Sequence, residues 1–250
     1  MFKHFLFVLT FFATVSTQAQ TVEQMVKQGD LLEKQMNEPE AYAKFKEIVR
    51  LQPNHLYALV KCSELASRIG RIQTSKERQE DFYKAAKIYA DRAMKVNPND
   101  SDANMVMSVA YGRLALLKSG KEKVAYVREI KNYAERSVAI NPQNFKALHV
   151  LGKWHYEVMS LNAVEKTALK MFFGGLPKAS FDSSLHYYKK AGTLSPGFVL
   201  NFLEMGKTYY KLKNKTKAIE CLKQAMNLPD ATSEDRIVKK EAGELLKQWS

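Results

Sequence analysis

Five times along this 250-residue chain an amphipathic stretch closes on an apolar residue and, at once or one residue later, a proline. The segments are AYAKFKEIVRLQPN (41–54), KAAKIYADRAMKVNPND (84–100), KNYAERSVAINPQN (131–144), SSLHYYKKAGTLSPG (183–197) and KAIECLKQAMNLPD (217–230). Each keeps its apolar residues at helical spacing. Proline lacks the N–H and the room to continue a helix, so Pro53, Pro98, Pro142, Pro196 and Pro229 mark where one helix stops and the next can begin. With only 11 glycines and 7 prolines in all, and no linker-like run, such a chain is confined to an all-α array of helical hairpins.

The pattern resembles the tetratricopeptide repeat, a helix–turn–helix unit of about 34 residues. In the last unit Phe202, Met205, Gly206 and Tyr209 take first-helix positions, and Ala218, Leu222 and Ala225 take second-helix positions. Small residues let antiparallel helices approach while large ones fill the groove beside them. The first unit matches with Gly29, Ala41, Phe45, Ile48 and Pro53. The fourth keeps Leu151 and Gly152 but has His155 where the pattern has tyrosine. Successive prolines lie 45, 44, 54 and 33 residues apart, so only the last spacing is near the standard unit. The extra length is expected around 68–81 and 116–126, as longer helices or turns, and in the fourth unit around MFFGGLP (171–177). The expected fold is a tetratricopeptide-like solenoid with long insertions, its repeats at about 22–54, 55–100, 101–144, 145–197 and 198–231. Residues 232–250 form a capping helix, started by Thr232, Ser233 and the acids that follow. Its Ile237, Ala242, Leu245, Leu246 and Trp249 are expected to cover the open end of the stack while its other side faces solvent.

The N-terminus stands apart. Lys3 and His4 precede an apolar run from Phe5 to Val15, shorter than the ~20 residues that span a bilayer, and Thr17 and Ala19 are small residues at signal-cleavage positions. The expectation is a cleavable signal peptide over 1–19, a helical-repeat domain over 20–250, and a periplasmic or secreted location without a lipoprotein cysteine. Membrane association is expected only if the segment stays uncleaved. Thirty-nine Lys and Arg against 26 Asp and Glu give a net charge of +13, or +12 once Lys3 is removed. The basic residues are spread over many helices and interleaved with glutamate, as on a solvated face, so nucleic acid is not the expected partner. Cys62 and Cys221 are too few for a disulfide framework and sit in helical patterns, where buried free thiols are expected over a single bridge.

Motifs for chemistry are scarce. Gly174-Gly175 lacks the lysine and hydroxyl residue of a phosphate loop and reads as a turn tolerating positive φ. His149 and His155 are six apart, which does not place them on one helix face. No catalytic residue, cofactor or metal is predicted. Mapping the repeat positions onto the concave face instead gives Arg113, then Lys146, His149, Lys153 and Tyr156, then Glu204, Lys207 and Tyr210. A groove with cations and tyrosines suits an acidic peptide.

From Pro142 onward the sequence also resembles the regulator of microtubule dynamics family, best over about residues 142–250 and more loosely in the first two repeats. The resemblance rests on Gly152, Trp154 and Tyr156, on Phe173, Gly174 and Pro177, and on Leu194, Pro196, Gly197 and Asn201. It implies a helical-repeat interaction protein rather than an enzyme, with animal members associated with microtubules and organelle membranes. The expected function is a non-enzymatic scaffold or adaptor that binds a protein or peptide through its concave groove. The alternative is a membrane-anchored organising protein whose basic surface meets anionic lipid or an acidic polymer such as a tubulin tail. Trp154 is expected to pack against the long insertion, and MFFGGLP to be a packed turn between the helices of the fourth unit, with Phe172 and Phe173 against the stack.

Overall fold

The computed structural model describes residues 22–174 and 178–249. The signal expected over 1–19 and Gly175 to Pro177 lie outside the described residues, as do the side chains of Phe172 and Phe173. Among the described residues twelve helices follow one another: α1 (22–34), α2 (Glu38–Leu51), α3 (Leu56–Arg71), α4 (Lys76–Val96), α5 (Ser101–Ala115) and α6 (Gly120–Ile140). Then come α7 (Phe145–Ser160), α8 (Ala163–Phe173), α9 (Phe181–Leu194), α10 (Val199–Lys211), α11 (Lys215–Asn227) and α12 (Ser233–Trp249).

Local chemistry sets the boundaries. Gln52, Asn97, Asn141, Ser195 and Leu228, the residues before the five repeat prolines, are the C-caps of α2, α4, α6, α9 and α11, and all have left the helical ψ. Crowding by the proline ring disfavours helical backbone at the preceding residue. At the other ends Ser75, Asp100, Asn144, Ser180 and Asn214 accept a hydrogen bond from the backbone N–H three residues on, satisfying donors the helix cannot. The first and last hairpins turn through a left-handed residue, Met36 and Lys213, followed by asparagine.

The hairpins pair α3 with α4, α5 with α6, α7 with α9 and α10 with α11. Glycine sets the approach of α1 to α2, α3 to α4, α7 to α9 and α10 to α11, while across α5 and α6 a Cβ on Gly112 would meet only Ile130, at 4.0 Å. A Cβ on Gly29, Gly70 or Gly152 would sit 2.7 Å from a ring carbon of Phe45, Tyr83 or Tyr188, and one on Gly206 would sit 3.1 Å from the Ala218 carbonyl oxygen. The added length of the second and third units goes mainly into helix: α4 and α6 have 21 residues each, against 14 in α2 and 13 in α11. Cys62 and Cys221 are free and buried, and burial raises both thiols, to about 12 and about 11.

Two elements differ from the sequence reading. The fourth insertion is a helix as well as a turn: Asn162 and Glu165 form a capping box that starts α8, and Gly174 ends it with φ +68°. Leu169 of α8 is buried with Val124, Trp154 and Val158, so Trp154 does pack against the insertion, and its Nε1 donates to the Val127 carbonyl at 2.8 Å. The C-terminal helix is more than an end cap. It packs on α10 and α11 as expected, with Val238, Ala242 and Trp249 buried, but Ile237 is exposed and the first turn also reaches α3. Successive first helices touch in the order α3, α5, α7, α10, α12, and α12 returns to α3. The array closes into a ring.

Candidate functional site: the inner face of the ring

The inner helices carry charges at helical spacing, and ring closure brings them together. On α3, Lys61, Glu64, Arg68 and Arg71 fall three or four residues apart and share one face. Lys61 donates to Glu33 of α1 at 2.7 Å, and Arg68 pairs with Glu33 and, at 3.3 Å, with Glu38 of α2. Lys146 of α7 crosses to Glu64, past the intervening α5. Lys153, next on the α7 face, reaches Glu204 of α10 and Glu157 of its own helix, both at 2.8 Å. Lys207 holds Glu204 at 3.3 Å and also pairs with Glu241 of α12.

Burial tunes these groups. It works to raise the Glu204 carboxyl, but the Lys153 and Lys207 ammoniums overcome it and hold the group down at about 2. Glu64 is likewise desolvated, yet Lys146, Lys61 and Arg68 bring it to about 2. For Lys153 burial favours the neutral amine, and the carboxylates of Glu204 and Glu157 reverse that, leaving it well above its ordinary value. A buried carboxylate survives only with such partners.

The seam is where α12 meets the N-terminal repeats. Glu38, 1% exposed, accepts from the Ser233 backbone N–H at 3.2 Å and from its hydroxyl. A carboxylate at a helix N-terminus complements the unpaired N–H groups and the helix dipole, so a residue of the first hairpin caps the last helix. Next to it Arg113 of α5 donates to Glu234 at 2.7 Å, and Arg71 of α3 lies 3.7 Å from the same carboxylate.

Each residue placed in the groove from sequence therefore has an internal partner. Arg113, Lys146, Lys153, Glu204 and Lys207 belong to the ion pairs above. Tyr156 is half-buried with its ring tilted on Phe181, and Tyr210 stacks on Trp249 at 3.9 Å between centroids. His149 is core. Asn201 Nδ2 donates to the Tyr188 carbonyl at 2.8 Å, which leaves Asn201 Oδ1 as acceptor for His149 Nδ1 at 3.1 Å and fixes the tautomer with the proton on Nδ1. Its ring lies between Tyr188 and Phe198, and burial pushes its pKa down to about 4. The acidic half of the site, Glu33, Glu38, Glu64 and Glu234, was absent from the sequence reading, as were Arg68 and Arg71. The spacing on α3 shows the stripe; nothing local shows its partners.

A family model described as Regulator of microtubule dynamics protein 1-3 matches residues 25–250. Regulator of microtubule dynamics protein 1 of Bos taurus is 30% identical over 178 residues, which are 71% of this chain and 56% of that protein. The Homo sapiens protein of that name is 28% identical over 195 residues, 78% of this chain and 62% of its own. The Caenorhabditis elegans one is 26% identical over 187 residues, with 75% and 80% covered. The chain thus spans 56–62% of the length of these mammalian relatives. Among solved structures, a thermophilic tetratricopeptide-repeat protein of Thermus thermophilus superposes with TM-score 0.62 at 14% identity, over 89% of this chain and 99% of that one. Pseudomonas aeruginosa pilF does so with TM-score 0.54 at 12% identity, over 93% of each. The fold is that of the tetratricopeptide repeats. The periplasmic or secreted location expected from the N-terminal segment is overturned by these relatives: they are animal proteins named for microtubule dynamics, and a periplasm contains no microtubules.

Proposed function

The chain belongs to the regulator of microtubule dynamics family, and on that premise we propose that it is a non-enzymatic scaffold that binds an acidic segment of a protein partner through the inner face of its ring. The observation that carries this is the row of cations on the inner helices. Arg71, Arg113, Lys146, Lys153 and Lys207 follow one another around the ring, each already matched to a carboxylate. A face built to hold glutamate side chains from its own chain has the charge and spacing to hold those of another. Lys146 and Lys153, about 40% exposed (42% and 38%), with Tyr210 and the half-buried Tyr156, form the part open to a ligand, whereas His149 shapes it from below.

The relatives' name directs the choice of partner. Microtubules present acidic tails, and the chain's +13 charge favours encounter with such a surface. Among the described residues no helix is long and apolar enough to cross a membrane. Co-sedimentation tests the reading. The chain is expected to pellet with intact microtubules, to pellet less with microtubules stripped of their tails, and to be released by added salt. Pelleting that is equal on both and insensitive to salt overturns it, as does no pelleting at all.

A further inference from the structure

The seam that closes the ring is an incompletely filled site. Glu234, on the first turn of α12, offers one carboxylate to two arginines, with Oε1 2.7 Å from Arg113 Nη2 and Oε2 3.7 Å from Arg71 Nη1. Each guanidinium reaches it through a single nitrogen. Arg113 Nε is buried with no hydrogen-bond partner. A guanidinium suits two parallel bonds to one carboxylate, so this pair holds donors that Glu234 leaves unused. All three partners are largely shielded, with side-chain exposures of 20% for Arg71, 17% for Arg113 and 9% for Glu234.

The occupant is also held differently from the helix that carries it. Beyond the first turn, α12 is anchored on α10 and α11 by the buried Val238, Ala242 and Trp249, the last lying flat on Tyr210, and by the Lys207–Glu241 pair and the bond of Lys239 to the Leu228 carbonyl. The first turn is held by polar contacts, those of Ser233 with Glu38 and of Glu234 with the arginines. It can leave while the body of α12 stays seated.

We infer that Arg71 and Arg113 form the carboxylate-binding site of the inner face, that Glu234 occupies it as an internal stand-in, and that an acidic peptide segment takes the site by displacing the first turn of α12. The inference rests on the reading that the inner face receives an acidic segment. It adds where the segment's anchor carboxylate sits and what must move. The stand-in indicates the ligand's chemistry, since Ser233-Glu234-Asp235 is itself a short acidic stretch. Two desolvated guanidiniums with spare donors favour a glutamate or aspartate side chain, and Lys146 and Lys153 extend the cationic path for further acids.

The test uses a fluorescent peptide of ten glutamates and the full chain. Glu234→Gln removes the competing charge and keeps the shape, so anisotropy should show binding about tenfold tighter than for the unaltered protein, as expected when an internal competitor is weakened. Arg71→Gln with Arg113→Gln should weaken it by about tenfold or more. In the unaltered protein, saturating peptide should speed hydrogen exchange in the first turn of α12, residues 233–237. That measurement needs no variant and decides the matter if a substitution impairs folding. Unchanged affinity in the Glu234→Gln protein, or exchange in that turn that is unchanged or slowed, overturns the displacement and leaves the inner-face reading standing. Failure of the folded protein and its variants to bind the peptide overturns both.

Discussion

Single residues explain why these hairpins close as tightly as they do. Gly152 faces the ring of Tyr188, itself fully buried, and a methyl group there has nowhere to go. Alanine would gain ~1 kcal/mol of helix propensity, but overpacking a rigid core costs about 1–3 kcal/mol. The clash wins. Gly152→Ala should lower the melting temperature, whereas Gly243→Ala, where the nearest atom would be the Met226 side chain at 3.8 Å, should leave it level or raised. Both glycines lie in helices, so a drop confined to Gly152 separates close approach from backbone freedom. Gly29, Gly152 and Gly206 were legible in sequence because the repeat fixes their position in the hairpin. Gly70, against Tyr83, escaped notice because its unit is longer. His149 lies on the expected face of α7 but is buried beneath it, because periodicity marks a face and cannot tell a rim from a core. Its partners Tyr188, Phe198 and Asn201 lie 39 to 52 positions away.

At the scale of elements, what is local was legible and what is inserted was not. The five prolines announced the helix ends because their effect on the preceding residue needs no tertiary context. The extra residues of the second and third units gave no comparable sign of choosing helix over loop. They lengthen α4 and α6. The fourth insertion hid α8, whose capping box, Asn162 with Glu165, was visible in sequence but sat in what read as a connection. Trp154 fastens this insertion: it packs with Val124 of α6 and Leu169 of α8 and bonds the Val127 carbonyl. Trp154→Ala should cost about 3–5 kcal/mol. Its signature should be regional, with faster hydrogen exchange in α8 and the first half of α6 and little change in α11. A uniform loss across all helices would contradict this placement.

For the whole molecule, the decisive property is that a line of repeats became a ring, and no local pattern foretold it. Glu64 meets Lys146 82 positions on, and Arg113 meets Glu234 121 positions on. The charges were readable, their partners were not. The ring's charge network makes stability depend on pH with a definite sign. Glu64 and Glu204 lie at about 2 in the folded chain against an ordinary 4.5, and His149 at about 4 against 6.5. All three are depressed, so the unfolded chain binds the additional protons and acid favours unfolding. His149's contribution is full above its unfolded value and lost as pH falls from about 6.5 to 4; that of the two glutamates is lost between about 5 and 2. The melting temperature should therefore decline in two stages below neutrality. Glu204→Gln, which removes on the order of 3 kcal/mol of pH-dependent stabilisation, should shrink the second stage to the share of Glu64 and extend the first to lower pH, because the Glu204 carboxylate supports the His149 proton. A melting temperature constant from pH 7 to 3 would contradict the network.

The contact between Glu38 and Ser233 joins positions 195 apart. Ordinary repeat arrays fold through neighbours, and any hairpin can begin. Here two bonds to one carboxylate wait for everything between. The entropy of closing so long a loop falls on the free chain most heavily, so the hairpins form first and carry the two ends together. During synthesis Ser233 emerges after the N-terminal hairpins have had time to form. The seam is then a late event in the life of each molecule, since it waits for α12.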